Sequence, residues 1–167
     1  MRTMKNPKFI LSLAATAALL VCTSLTHAAE LDRSDRHFFE KAAKSGQNEV
    51  TISQEALAHL TSPSARDFAN MVITDHSKVN AELTALAMSK GVTLPPPSEK
   101  VAKKWAKNDK DVDDEYLATM VGEHKDAVDL FEKASKSKDP EIAAFAQKYL
   151  PTLREHLALA KTDKKIN

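Results

Sequence analysis

Glycine occurs only three times in 167 residues, at Gly46, Gly91 and Gly122. So little glycine leaves no phosphate-cradling loop, no dinucleotide fingerprint and no nucleophile elbow, each of which needs glycines clustered in a tight turn. Cysteine occurs once, at Cys22, so neither an intrachain disulfide nor a multi-thiolate metal site can form. Neither sign of charge dominates: 24 Lys+Arg face 23 Asp+Glu. That balance argues against a dedicated nucleic-acid binder, which needs a concentrated basic face. Beyond the first residues no stretch is apolar enough to span a bilayer, and none alternates with the period of two that a transmembrane barrel requires.

The first 28 residues read as an address. Arg2, Lys5 and Lys8 form a positive segment, and Phe9 to Val21 is an apolar run too short for a comfortable membrane span. Thr26-His27-Ala28 then offers small residues for cleavage. We expect a secretory signal peptide over 1–28 and a periplasmic, soluble mature protein over 29–167. Anchoring through Cys22 as a lipoprotein is the alternative, against which Leu20-Val21 lacks the small residue that normally precedes a lipidated cysteine. Cleavage leaves 21 Lys+Arg against 23 Asp+Glu, a formal charge of −2.

Ala, Leu, Lys and Glu dominate the rest, which favours helix throughout and a length suited to one domain. Stops and starts delimit four helices, at about 32–60, 64–90, 111–136 and 140–163. Thr61-Ser62-Pro63 breaks the first, and Ser62 or Ser64 can cap the second. Gly91 and Pro95-Pro96-Pro97 end the second, and Asp139 caps the fourth with Pro140 in its first turn. Asp113, Asp114 and Glu115 suit the positive end of the third. The first and third connections are short, so each flanking pair forms an antiparallel hairpin, whereas 91–110 is long enough to cross the length of a bundle. The expected fold is all-α: a ferritin-like up-down four-helix bundle of two hairpins joined by a long crossover. Trp105, set among lysines, reads as a plug clamping that crossover.

A weak internal repeat agrees. A shift of 77 residues pairs Phe39 with Tyr116, Glu49 with Asp126, Pro63 with Pro140, Phe68 with Phe145 and Ala69 with Ala146, as two hairpins related by a pseudo-twofold axis would.

Three apolar stripes each contain a histidine. The second helix carries Ala69, Val72, His76, Val79 and Leu83; the third Leu117, Met120, His124, Ala127 and Phe131; the fourth Ile142, Ala146, Tyr149, Leu153, His156 and Ala160. The first helix is ambiguous. One stripe runs Phe39, Ala42, Gly46, Glu49, Ile52 and Ala56, and a competing one runs Phe39, Ala43, Gly46, Val50 and Leu57. An unpartnered polar group in such a stripe costs a few kcal/mol, so something must satisfy these four side chains. Counted from the hairpin turns, Glu49 and His76 lie level, but His124 and His156 differ in depth by about 9 Å at 1.5 Å per residue. Convergence of all four is allowed without being forced.

Glu49, His76, His124 and His156 are therefore candidate ligands of one divalent ion (Zn, Cu, Fe or Mn), since imidazole and carboxylate donors suit such ions. Asp75, Glu123 and Glu155 each precede a histidine, and successive helix positions point about 100° apart. Each acid could thus orient a ligand only from an adjacent helix. Tyr116 could hydrogen-bond into the same layer. Gly46 and Gly122 lie inside helices, where close helix approach or room for a small ligand would explain them.

Asn48-Glu49-Val50, Phe68-Ala69 followed by Asp75-His76, Asp113 with Tyr116-Leu117 and then His124, and Leu150-Pro151 leading to Glu155-His156-Leu157 resemble the bacterial secreted family catalogued as domain of unknown function 4142. The likeness covers about Leu31 to Lys161. It implies a ferritin-like bundle and a secreted location, and no particular mechanism. The label of outer membrane protein often attached to that family does not suit these helices. The chain also departs from di-iron carboxylate proteins, which use Glu-x-x-His. Ile73, Val121 and Leu153 stand where those glutamates would be, so that dinuclear ligand set is missing, which argues against ferroxidase or oxygen-activating chemistry and leaves a mononuclear site open.

Two readings follow. One is a periplasmic bundle binding a metal ion in buffering or stress protection. The other is a structural or interaction protein of the cell envelope, with an envelope protein as partner and its buried His and Glu groups joined in a hydrogen-bonded layer. Were the protein an enzyme, His124 and Glu49 would be its acid–base groups.

Overall fold

The computed structural model describes residues 31–97 and 112–166. The leader, Cys22 and Trp105 lie outside the described residues. The described residues form four helices: α1 Arg33–Ala56, α2 Pro63–Ser89, α3 Val112–Ala134 and α4 Pro140–Ile166.

Local chemistry sets their ends. Asp32 caps α1 through Ser34 N, and Ser62 caps α2 ahead of Pro63 in the first turn. Gly91, at φ 69°, closes α2. Val92 N–H donates to the Ala87 carbonyl at 2.8 Å and Gly91 N–H to Met88 at 3.1 Å, the paired bonds of a Schellman stop. Asp139 caps α4 by accepting from Glu141 N and Ile142 N.

The largest departure from expectation is the end of α1, at Ala56 rather than near Leu60. The Arg66 guanidinium reaches back from α2 and takes the carbonyls of Leu57 and Leu60 at 2.8 and 3.0 Å. Those carbonyls need no further helical turn, and Leu60 is released to bury its side chain.

The core divides in two. At one end Phe38 and Phe39 of α1 pack with Val79 and Leu83 of α2, Phe131 of α3 and Ile142 and Phe145 of α4. At the other, Ile52 and Ala56 pack with Phe68 and Val72, Tyr116, Leu117 and Met120, and Ala160. The first cluster combines the start of α1 with the end of α2, and the end of α3 with the start of α4; the second combines the opposite ends. The two hairpins therefore turn at opposite ends of the bundle, and the end of α2 and the start of α3 lie at opposite ends as well, as in the ferritin-like arrangement; most of the expected crossover, 98–110, lies outside the described residues. Hairpin partners pack together, and α1 also packs on α3 and α2 on α4, so every neighbouring pair is antiparallel. The 77-residue shift carries Pro63–Ser89 onto Pro140–Ile166. On α1 the stripe containing Glu49 is the buried one, while Val50 and Leu57 are only half-buried.

Candidate metal centre

Between the two apolar clusters lies a polar layer formed by one residue from each helix: Glu49, His76, His124 and His156, all buried. The depth mismatch anticipated between His124 and His156 is real in the backbone. His124 stands ten residues before the end of α3, and His156 sixteen after the start of α4. The side chains close the gap. Cα–Cβ bonds tilt toward the helix N-terminus. In this antiparallel hairpin His124 therefore leans away from the turn and His156 toward it. The first hairpin shows the same offset in place of the level placement expected, because α1 stops at Ala56: Glu49 is seven residues before the end of α1 and His76 thirteen after the start of α2.

The donor atoms converge closely. His76 Nε2 lies 3.3 Å from His124 Nε2, and His124 Nε2 lies 3.2 Å from His156 Nδ1. Glu49 Oε2 is 3.3 Å from His76 Nε2 and 3.4 Å from His124 Nε2. A tetrahedral ion with bonds of about 2.0–2.1 Å has ligand–ligand edges of about 3.3–3.4 Å. Four edges of such a tetrahedron are thus already formed, and all three histidines present ring nitrogens within 4.8 Å of one another.

Hydrogen bonds outside the cluster decide which nitrogens carry protons. His156 Nε2 is 3.0 Å from Asp75 Oδ2, and a carboxylate accepts, so Nε2 holds the proton and Nδ1 faces inward as a lone pair. His124 Nδ1 is 2.9 Å from the Met120 carbonyl, so it donates there, and Nε2 also faces inward as a lone pair. The two inward nitrogens face each other across 3.2 Å, a contact that a shared proton or a cation between them makes favourable. Burial, then the His76 and His156 rings, holds the His124 imidazole down to about 4 against the pull of Glu49. Burial and then His156 likewise push His76 to about 4. Burial raises the Glu49 carboxyl above its ordinary value, in spite of His124 and of Ser45, whose hydroxyl donates to Oε1 at 2.8 Å. Glu49 Oε2 is buried and makes no hydrogen bond.

The flanking residues sort differently from their expected equivalence. Asp75 does bond a histidine on an adjacent helix. Tyr116 bonds Ser53 at 2.8 Å and stacks edge-on with Phe68, and burial pushes its phenol up. Glu123 lines a surface groove between α1 and α3 and adds negative potential at Glu49. Glu155 is exposed, about 100° around α4 from His156. Phe68 covers the layer from the second apolar cluster, its ring 6.2 Å from both His124 and His156.

Four contributors escaped the sequence reading. Ser45 sits one turn before Glu49, a spacing that could have pointed to it. Ser53, the Met120 carbonyl and Asn80 carry no comparable sequence signal. Asn80 meets Gly46, where an added Cβ would lie 2.2 Å from its Oδ1, so close helix approach explains that glycine. Gly122 is different: it is exposed with open space around it, and neither of its two expected roles applies.

The family described as "Domain of unknown function (DUF4142)" matches residues 21–162. The chain belongs to this family. Its members' label therefore names a fold whose centre, in this chain, is the His/Glu layer. Among solved structures, the crystal structure of a DUF305 fragment from Deinococcus radiodurans is similar, with a TM-score of 0.71 at 14% identity over 81% of this chain and 98% of that one. At that identity the likeness concerns the fold. A comparison with curated proteins finds no match. No described helix is long and apolar enough to cross a membrane.

Proposed function

We propose that this protein binds one divalent first-row metal ion at the centre of the bundle, through His76 Nε2, His124 Nε2, His156 Nδ1 and Glu49 Oε2. The observation that carries the proposal is the convergence of the three imidazoles and Glu49 Oε2 at the spacing of a tetrahedral ion, with the outer nitrogens of His124 and His156 engaged by the Met120 carbonyl and the Asp75 carboxylate. A cation bound there takes the inward nitrogens as ligands and neutralises the buried Glu49 carboxylate. Three imidazoles and one carboxylate suit Zn, Cu and Fe better than Mg or Ca, which prefer all-oxygen sites. The leader-like segment of residues 1–28 supports a periplasmic location. In that compartment such a site would serve metal buffering or protection against metal stress.

The test is metal content of untagged protein purified from periplasm, with a His76, His124 and His156 to alanine triple variant as control. Near-stoichiometric metal in the wild type and none in the variant is the expected result. No metal after challenge with Zn, Cu, Fe, Mn and Ni would overturn the proposal and leave a structural polar layer, with the search turning to envelope partners. Because the triple variant removes three core side chains, the single His124→Gln variant provides a folded control.

A further inference from the structure

Beside the His/Glu layer is a small cavity of about 20 Å³, lined among others by Ser45, Gly46, Glu49, His76 and Asn80. That is room for about one water molecule. Two of its lining residues carry buried oxygens with no hydrogen-bond partner, Glu49 Oε2 and Asn80 Oδ1. Buried polar atoms are almost always paired; with Glu49 Oε2 given to the metal, Asn80 Oδ1 is left facing a water-sized cavity that also borders two of the proposed ligands, Glu49 and His76. Asn80 lies one turn after His76 on α2, and Gly46 lets its amide sit against α1, since any Cβ there would collide with Oδ1. His124 and His156 do not line this cavity; it opens on the Glu49–His76 edge of the donor set alone.

We propose that the metal centre is an open one. A water-sized ligand binds the ion from this cavity, held by the Asn80 amide, and exchanges with solvent through the groove between α1 and α3. This rests on the metal-binding reading above. The groove has a volume of about 480 Å³ and shares Ser45, Ala127 and Leu130 with the inner cavity, so these three side chains form the partition. With four protein donors already set, the cavity supplies a fifth position, an expansion that reactive sites use and that a structural site closed at four does not. Water, hydroxide and fluoride fit the space. The amide can serve either kind of ligand, accepting from water through Oδ1 or, rotated, donating to an anion through Nδ2.

The test uses the purified protein loaded with one equivalent of Cu(II) and titrated with fluoride, read by electron paramagnetic resonance. Nitrogen superhyperfine structure reports the histidines, and an added splitting from the fluorine nucleus reports the open position. Fluoride is expected to bind the wild type, and to need at least tenfold higher concentration in Asn80→Leu, which fills the cavity, with the nitrogen pattern unchanged. Asn80→Ala keeps the space but loses the amide, and is expected to weaken fluoride binding as well. A histidine-coordinated copper that ignores fluoride in the wild type overturns the open position while leaving the metal site intact. So does equal fluoride affinity in the wild type and both variants. Copper without histidine nitrogen structure overturns the metal site itself, and this proposal with it.

Discussion

His156 and Asp75 join across two helices: Nε2 and Oδ2 are 3.0 Å apart, with the imidazole buried and the carboxylate 40% exposed. The bond crosses from α4 to α2 and fixes the ring so that Nδ1 looks inward. Asp75→Asn preserves the shape but lets an amide N–H face the ring, which favours the opposite tautomer with the proton on Nδ1. Metal affinity is expected to fall about 10- to 100-fold, with little change in far-ultraviolet circular dichroism. Calorimetric titration of the loaded ion checks it, and unchanged affinity would show that the tautomer is not set here.

Metal should stabilise the fold through mass action. A ligand at about 100 times its dissociation constant adds about 2.7 kcal/mol, so thermal unfolding is expected to shift upward by several degrees on adding the preferred ion. His124→Gln is expected to lose that shift, because His124 Nε2 touches three of the four proposed edges.

Without metal, stability should fall on acidification. His76 and His124 sit at about 4 when folded against an ordinary 6.5. Between those values the unfolded chain binds protons that the folded chain refuses, so stability declines as pH drops from 6.5 toward 4, by up to about 3 kcal/mol per imidazole. Glu49 has the opposite sign. Its folded carboxyl is raised above the ordinary 4.5, so acidification relieves the burial of its charge and offsets part of the loss. Urea denaturation in the presence of a chelator, from pH 7.5 to 4.5, should show a net decline. A flat profile would mean that the Glu49 contribution cancels the histidines.

The two interior helix glycines should respond in opposite ways. Gly122→Ala meets nothing and recovers helix propensity, so a gain of about 0.5–1 kcal/mol is expected. Gly46→Ala forces the Asn80 amide to move, which cancels the same gain and disturbs the cavity beside Glu49. Chemical denaturation of the two variants side by side separates these effects.

Asp113 ties the start of α3 to the α1–α2 turn, accepting from Thr61 N at 2.9 Å, Thr61 Oγ1 at 2.5 Å and Ser62 N at 2.9 Å. Those bonds hold its carboxyl below the ordinary range despite partial burial. Asp113→Ala leaves two backbone donors and a hydroxyl to water, and a loss of about 1–3 kcal/mol is expected in urea denaturation.

Periodicity and local caps made much of this molecule readable. The stripes on α2, α3 and α4 are buried as their spacing indicates, and Ser62, Gly91 and Asp139 punctuate the helices as their chemistry requires. The end of α1 was less legible because Arg66, on the next helix, substitutes for a helical turn. On α1, two stripes share Phe39 and Gly46, so periodicity alone left Glu49 ambiguous; packing against the other three helices selects the stripe that contains it.

The amino-acid order by itself determined four helices, their pairing into hairpins and the presence of one imidazole in the buried stripe of each of α2, α3 and α4. These follow from interactions within a few residues along the chain. Tertiary structure alone decided that the three imidazoles and Glu49 meet, because depth across an antiparallel pair depends on the tilt of each Cα–Cβ bond as well as on residue count. It also decided which nitrogens face inward, since His156 takes its tautomer from Asp75 on another helix. Asn80 acquires its place beside Glu49 only through contact with Gly46. Periodicity assigns a residue to a face; the distance between faces, and the proton on each ring, exist only once the helices have packed.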